Sequence, residues 1–152
     1  MLKPQQVDDA DFVSRSIFEP LMSWDEQRVI FNKIFEFPDG VPESVIWRKI
    51  VKQDGAVHQM GKNAEAAKRS RGSNASYIGF SSATSQAVRQ IKLLANDGHG
   101  FDVVHAPDEG AYHAHIQYKF ANGLTYGQIG KSRRQELKFV LSKLFNDLVR
   151  AQ

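Results

Sequence analysis

Histidine, arginine and serine side chains of this sequence provide the functional groups that phosphoryl transfer needs. Two histidines lie two residues apart, and imidazole exchanges protons near neutral pH. A guanidinium group stabilises the negative charge that develops on phosphate oxygens. We therefore predict a phosphodiester or phosphoryl site with four catalytic residues. His113 is its general acid or base, His115 assists that residue, Arg48 holds the anion, and Ser76 positions the substrate.

A non-catalytic binding surface is an alternative interpretation of the same region. Between Tyr112 and Phe120, apolar and polar side chains alternate, which is typical of a strand with one buried face. Asn122-Gly123 suits a two-residue hairpin turn, so the polar face is expected to continue onto a returning strand. Such a face could bind RNA, DNA, a nucleotide or an acidic protein, or it could be an ordinary solvated surface. The predicted binding residues are Lys62, Lys68, Arg69, Arg71, Gln117, Lys119, Tyr126, Gln128, Arg133 and Arg134.

The position of Arg48 in its predicted strand leaves three environments open. Arg48 shares one face with Ile46 and Ile50, whereas Trp47 lies on the other face with Val45. An unpaired arginine is too costly to bury in an apolar layer. Arg48 therefore pairs with an acid inside the protein, opens into a cleft that holds an anion, or lies at the surface while Trp47 faces inward.

A metal site is a further hypothesis, because imidazole and carboxylate groups are common metal ligands. His105, His113 and His115 lie near Asp108 and Glu109 in the sequence, so three or four ligands are available. The spacing of a helical zinc motif is absent. The chain also contains no cysteine, which excludes disulfides and thiolate ligands. No cofactor is predicted.

Three segments resemble a group of short uncharacterised bacterial proteins. They are the sequence Trp47-Arg48-x-Ile50, the serine-rich loop that runs from Ser73 to Phe80, and the segment from Val104 to Ile116. In that group the last segment contains Pro-Ala-His-Ala-x-Val, and its histidine corresponds to His113. His115 falls on the variable position. The resemblance therefore favours Arg48 and His113 as site residues, and it implies no activity.

The order of three residues also resembles that of ADP-ribosyltransferase toxins. In that family an arginine on an early strand and a serine on a middle strand hold a dinucleotide, which Arg48 and Ser76 would do here. Gln117 lies on a late strand, but the catalytic glutamate of that family is missing, because Tyr, Lys and Phe follow this glutamine. An ADP-ribosyltransferase-like toxin is thus an alternative function.

The elements that position these residues are predicted to form an α+β domain, with a mostly antiparallel sheet of four to six strands and three main helices. Asp54-Gly55 predicts a hairpin turn, and residues 61–76 are expected to form a mobile basic loop. Residues 1–20 are expected to be a short helix or an extended arm that is loosely attached. The strand patterns cover residues 44–51, 77–80, 101–106 and 112–120, and the helix patterns cover residues 24–36, 82–96 and 132–150.

Length and charge limit the class of protein further. A chain of 152 residues is expected to form a single domain over residues 1–152. Residues 1–44 carry nine acids and four bases, a net charge of −5, whereas residues 45–152 carry sixteen bases and eight acids, a net charge of +8. A basic body favours a phosphate-rich partner. Neither a membrane-spanning run nor a secretory signal is evident, so the sequence predicts no membrane partner and a cytoplasmic location.

Overall fold

An antiparallel sheet of six strands organises the chain in the computed structural model, which describes residues 3–19, 24–25, 28–29, 34–93 and 98–151. The strands are β1 (Phe12–Glu19), β2 (Trp24–Asp25), β3 (Arg28–Val29), β4 (Glu43–Trp47), β5 (Ser76–Thr84), β6 (Gly100–His105), β7 (His113–Lys119) and β8 (Val149–Arg150). The α-helices of the described residues are α1 (Asp54–Ser70), α2 (Ser85–Arg89) and α3 (Lys131–Leu144). The sheet has the order β6-β7-β4-β1-β5-β8, and β2 pairs with β3 separately. This architecture confirms the predicted α+β class with a mostly antiparallel sheet.

Two apolar layers cover the two faces of the sheet. The larger layer contains Val45, Trp47 and, from α3, Leu141, and all three are buried. Ile46 lies between Val45 and Trp47 in β4, so it points to the other face, where it belongs to a smaller cluster with Val57 of α1. Helices α1 and α3 therefore lie on opposite faces of the sheet.

Residues 12–19, which were predicted to belong to a loosely attached arm, form the strand β1 inside the sheet. β1 pairs with β4 on one side and with β5 on the other, and Val13 and Ile17 are fully buried. The apolar pattern of this strand is interrupted by Arg15. The sheet accommodates that residue because its guanidinium donates to Glu43 Oε2 at 3.2 Å and to two backbone carbonyls.

The predicted helix over residues 24–36 is wrong where the structure describes this stretch. Trp24–Asp25 and Arg28–Val29 form a short antiparallel pair, and residues 34–36 are not helical. The rest of the predicted helix lies outside the described residues. The Ser-x-x-Glu capping pattern favoured a helix by only about 1 kcal/mol, which strand pairing can outweigh.

Helix α1 replaces the hairpin and most of the basic loop that were predicted for residues 54–76. Asp54-Gly55 lies in the first turn of the helix rather than in a hairpin turn, and only residues 71–75 form a loop. The stretch is rich in alanine and also contains lysine and arginine, all of which are good helix formers. Val57 and Gly61, four residues apart, are its buried positions. The prediction gave too much weight to the Asp-Gly turn signal.

The predicted helix over residues 82–96 is shorter than expected, because the strand before it is longer. β5 continues to Thr84, whose Oγ1 accepts a hydrogen bond from Ala87 N at 3.2 Å and caps α2. The second half of β5 is not evident in the sequence, because it consists mainly of small serine and alanine side chains, which are not typical strand formers. Residues 91–93 are not helical, and residues 94–97 lie outside the described part of the chain. The last helix, predicted to reach residue 150, ends at Leu144.

The prediction of a hairpin around Asn122-Gly123 is correct for its first strand and wrong for its returning strand, which does not form. β7 matches the predicted strand, and Asn122 and Gly123 have the positive φ angles of 59° and 69° that the turn signal indicated. They lie in a 3-10 turn, however, and a second 3-10 turn follows at Tyr126–Gln128. β7 already pairs with β6 on one edge and with β4 on the other, so it offers no edge to a returning strand.

Candidate functional site

A cleft of about 400 Å³ lies between α1 and strands β1, β4 and β7, and we call it the α1 cleft. Gly61 lets α1 approach β5 closely, because a methyl group at this position would overlap the Tyr77 ring. Towards β1 and β4 the sheet presents small serine side chains, which leaves open space beneath the helix. The polar lining includes Ser14, Ser16, Ser44, Asn63, Lys68 and His113, and the apolar lining includes Phe18, Ile46, Met60 and Tyr112.

His113 forms part of the wall of the α1 cleft at the start of β7. It lies opposite Ile46 in the pairing of β4 with β7, which places it on the face that α1 covers. Nδ1 is buried without a hydrogen-bond partner among the described residues. Burial lowers the pKa of His113 below its ordinary value of 6.5, the charge of Glu109 partly offsets this, and His115 lowers it further. His113 is therefore mainly neutral at pH 7 and able to accept a proton.

Glu109, which the sequence suggested only as a metal ligand, lies next to both His113 and His115. The 3-10 turn Pro107–Glu109 precedes β7 and places the carboxylate beside that strand. Oε1 lies 3.0 Å from His115 Nε2, and Oε2 accepts a hydrogen bond from Ser44 Oγ at 2.9 Å. Oε2 also lies 4.0 Å from His113 Nδ1. The carboxylate thus lies close to both imidazoles. The sequence contains one indication of this contact, which is that Glu109 precedes His113 by four residues.

The carboxylate of Glu109 is held in its charged form. Partial burial by itself would raise the pKa of Glu109. The hydrogen bonds from Ser44 and His115, together with the nearby imidazoles, more than compensate and hold that pKa below its ordinary value of 4.5. A carboxylate that stays charged is suited to stabilise an imidazolium beside it.

Lys68 supplies positive charge to the α1 cleft. It lies near the end of α1, on the side of the helix that faces the sheet, and its Nζ is 5.0 Å from the ring centroid of Phe18. Arg15 also lines the cleft, but Ile34, Ser44 and Glu43 accept its hydrogen bonds. Among the described residues that line the cleft none is a carboxylate, so Lys68 is the cation best placed to meet an anion there.

Arg48 is an internally paired residue rather than an open anion clamp. Its Nε donates to Val51 O at 2.8 Å, and its Nη2 donates to Lys52 O at 3.1 Å and to Asp54 Oδ1 at 2.6 Å. Nη1 donates to Ser14 Oγ at 3.2 Å. Four of the five guanidinium N–H groups therefore have acceptors within the protein. Through these hydrogen bonds Arg48 connects the end of β4 with the start of α1. Its contact with the α1 cleft is its hydrogen bond to Ser14, which lines the cleft.

Ser76 lies far along the sheet from Arg48. It pairs with Glu19 at the end of β1, and its Oγ accepts a hydrogen bond from Arg69 Nη2 at 2.8 Å. Arg48 instead contacts Ser14, which is five residues earlier on β1, a distance of about 16 Å at the usual rise of a strand. The structure thus does not bring together the arginine and serine that an ADP-ribosyltransferase-like site needs.

The other predicted basic residues of the α1 region point in different directions. Lys62 lines a separate groove next to β8. Arg69 forms an ion pair with Glu65 at 3.3 Å, and Arg71 is exposed at the end of the helix. Of the four predicted lysines and arginines in this region, only Lys68 lines the α1 cleft.

The predicted polar strip after His113 is divided between the two faces of the sheet. Gln117 and Lys119 stay on β7, where they pair with Asp102 and Gly100 of β6. Tyr126 lies on the α3 side, with Arg134 Cζ 4.0 Å from its ring centroid. The predicted residues are divided in this way because the expected return strand does not form. Two predicted binding residues remain. Gln128 accepts a hydrogen bond from Thr125 N, and Arg133 is exposed on the first turn of α3.

The three-histidine metal site is not assembled, because His105 faces the other side of the sheet. Its ring centroid is 5.0 Å from that of Trp47 in the larger core. Its Nδ1 accepts a hydrogen bond from Gln5 N at 3.0 Å, so Nε2 carries the proton and donates to Ala111 O at 2.9 Å. This makes His105 a neutral structural residue. Within the described ranges, no group of three or more His, Cys, Asp or Glu residues is arranged to hold a metal ion.

No protein-family model, no protein with a curated description and no solved structure matches this chain. In the part of the chain that the structure describes, no helix has both the length and the apolar character needed to cross a membrane. The geometry of the α1 cleft is therefore the main indication of function.

Proposed function

We propose that the α1 cleft binds the phosphate group of a nucleotide or of a nucleic-acid strand, and that His113 transfers a proton in phosphodiester chemistry there. The observation that supports this most is that Lys68 and His113 line one cleft, with Glu109 behind the imidazole. Lysine binds phosphate as a point charge, and a base oriented by a carboxylate is a recurrent catalytic arrangement. A small shift would turn the 4.0 Å approach of Glu109 to His113 Nδ1 into a hydrogen bond.

The size and lining of the cleft suit a nucleotide unit. Its volume of about 400 Å³ lies in the range of small-molecule sites. Ile46, Met60 and Tyr112 offer an apolar and aromatic surface for a base. Ser16 and Asn63 offer hydrogen bonds for ribose hydroxyls. Lys68 then meets the phosphate.

The proposed reaction uses the neutral form of His113. The imidazole takes a proton from an attacking water or hydroxyl, whose oxygen forms a bond to phosphorus while the bond to the leaving oxygen breaks. The same proton is then delivered to the leaving oxygen. Glu109 stabilises the imidazolium that exists between these steps, and Lys68 stabilises the charge on the phosphoryl oxygens.

The binding half of this proposal is tested with Lys68→Ala and with Lys62→Ala as the matched control on the same helix. Calorimetric titration with nucleoside monophosphates and with a short oligoribonucleotide measures the affinity. Loss of one charge-assisted contact should weaken binding about 10- to 100-fold for Lys68→Ala and leave Lys62→Ala within about twofold. Equal effects of the two substitutions would show that the contact is general electrostatics and not the α1 cleft.

The catalytic half is tested with His113→Gln. Turnover of the oligoribonucleotide or of a phosphodiester model substrate should fall by at least about 100-fold, while affinity stays within a few-fold. Unchanged turnover would remove His113 from the mechanism. Binding at Lys68 without turnover in the parent protein would leave a non-catalytic nucleotide-binding module.

A further inference from the structure

A second cationic cavity lies on the opposite face of the sheet from the α1 cleft. It has a volume of about 100 Å³, and we call it the α3 notch. Lys131, Arg134 and Lys138 project into it from one side of α3, at intervals of three and four residues. The aromatic residues Tyr118 and Tyr126 form its opposite wall.

Arg134 is held in the notch by stacking on an aromatic ring. Its Cζ lies 4.0 Å from the ring centroid of Tyr126, which is cation–π geometry. Its backbone carbonyl accepts a hydrogen bond from Tyr118 Oη at 3.3 Å. Its Nε is buried and has no hydrogen-bond partner in the part of the chain that the structure describes. A buried N–H without an acceptor costs free energy, and a small rotation of the side chain towards an oxygen in the notch would recover it.

The charges around the notch favour an anion. Three bases line it against one acid, Glu36, so the lining carries a net charge of +2. Lys131 and Arg134 lie in the first turn of α3, where positive charge opposes the helix dipole and lowers helix stability. Stability of the helix therefore does not explain them. An anion beside Arg134 would neutralise the excess charge.

We propose that the α3 notch binds a phosphate-sized oxyanion, either free phosphate or the phosphoryl group of a larger molecule. The volume fits such an ion, and the planar guanidinium presents parallel N–H donors that match two oxygens of one phosphate. Lys131 and Lys138 supply point charges on either side. The notch does not depend on the α1 cleft, which lies across the sheet.

The test is an NMR titration of the Arg134 Nε–H resonance with inorganic phosphate, compared with sodium chloride at equal ionic strength. The expected result is a saturable shift with phosphate and none with chloride. A parallel titration with O-phosphoserine distinguishes free phosphate from a phosphoryl group, because the tighter of the two ligands identifies the source. The same non-saturating shift with phosphate and chloride would overturn the proposal.

Three variants localise the binding. Arg134→Lys keeps the charge but loses the guanidinium fork, so phosphate affinity should fall at least about tenfold. Lys138→Ala leaves the stacked arginine in place and should weaken phosphate binding several-fold. This variant tests the site even if a substitution of Arg134 impairs folding. Lys143→Ala removes a charge of the same helix outside the notch and should have no effect. Equal affinity in all three variants, or equal losses, would rule out a site at the notch.

Discussion

Glu109 shows how one side chain sets the ionisation of its neighbours. Its charge raises the pKa of His113 against the larger effect of burial, which lowers it. We expect Glu109→Gln to lower the pKa of His113 further, because burial and His115 would then act without opposition. The titration of the His113 ring protons by NMR measures this. Asp108→Asn is the matched control, since Asp108 lies in the same turn, is exposed and contacts neither histidine. An unchanged or higher pKa in Glu109→Gln would contradict the expected role.

Residue types were easier to predict from the sequence than residue environments. The strand alternation correctly put His113 and His115 on one face, because that face depends only on local geometry. The environment of Arg48 depends on Ser14 and Asp54, which approach it through other elements, so the sequence left three possibilities. Glu109 was overlooked as a partner of the imidazoles because the turn that aims its carboxylate forms only in the folded chain.

The packing of α1 on the sheet depends on the absence of a side chain at Gly61. An added methyl group would overlap the Tyr77 ring, so Gly61→Ala should lower the free energy of unfolding by about 1–3 kcal/mol, despite the better helix propensity of alanine. Gly55→Ala is the matched control, because no atom lies within 4 Å of its added methyl group. It should be neutral or stabilising by up to about 1 kcal/mol. Denaturant unfolding measures both, and equal stability of the two variants would show that α1 does not need the close contact.

The elements that sequence patterns missed are those that tertiary contacts decide. β1 was missed because Arg15 interrupts its apolar face, and only Glu43 and two carbonyls of other segments make that arginine acceptable. β7 was found because its alternation is unbroken from His113 to Lys119. Its predicted return strand was wrong for a topological reason, since β4 and β6 occupy both of its edges. Local signals identify a strand but not its partners.

At the scale of the whole molecule, the sheet separates two cationic cavities and joins the oppositely charged parts of the chain. The acidic first segment, residues 1–44, does not simply cover the basic remainder, because it contributes β1 and the first two residues of β4 to the sheet. Asp9 forms an ion pair with Arg89 at 2.8 Å and so connects the two parts directly. Since β1 pairs with both β4 and β5, the strand that contributes Ser14 and Ser16 to the α1 cleft is also structurally central. One strand thus both lines the α1 cleft and joins the two halves of the sheet.

The stability of the whole molecule should fall in acid for a reason that His113 and Glu109 share. In the unfolded chain His113 titrates near 6.5, whereas its pKa in the folded protein is lower, so the unfolded state binds more protons as the pH falls below 6.5. The pKa of Glu109 is likewise held below its ordinary 4.5, so its contribution is present above pH 4.5 and is lost as the pH falls through the lower value of the folded protein. Both effects reduce the free energy of unfolding towards low pH.

Urea unfolding between pH 7.5 and 5 isolates the contribution of His113, because that of Glu109 changes only below pH 4.5. His113→Gln should flatten the decline that begins near pH 6.5, because the variant has no imidazole to protonate at this position. Glu109→Gln should steepen it, because the pKa of His113 is then lower still and the difference from the unfolded chain is larger. His58, His99 and His105 are common to all three proteins and cancel in the comparison, whereas Glu109→Gln also removes the partner of His115. Parallel pH profiles for the parent protein and His113→Gln would mean that this imidazole is not desolvated on folding, and the neutral base proposed for the α1 cleft would lose its physical basis.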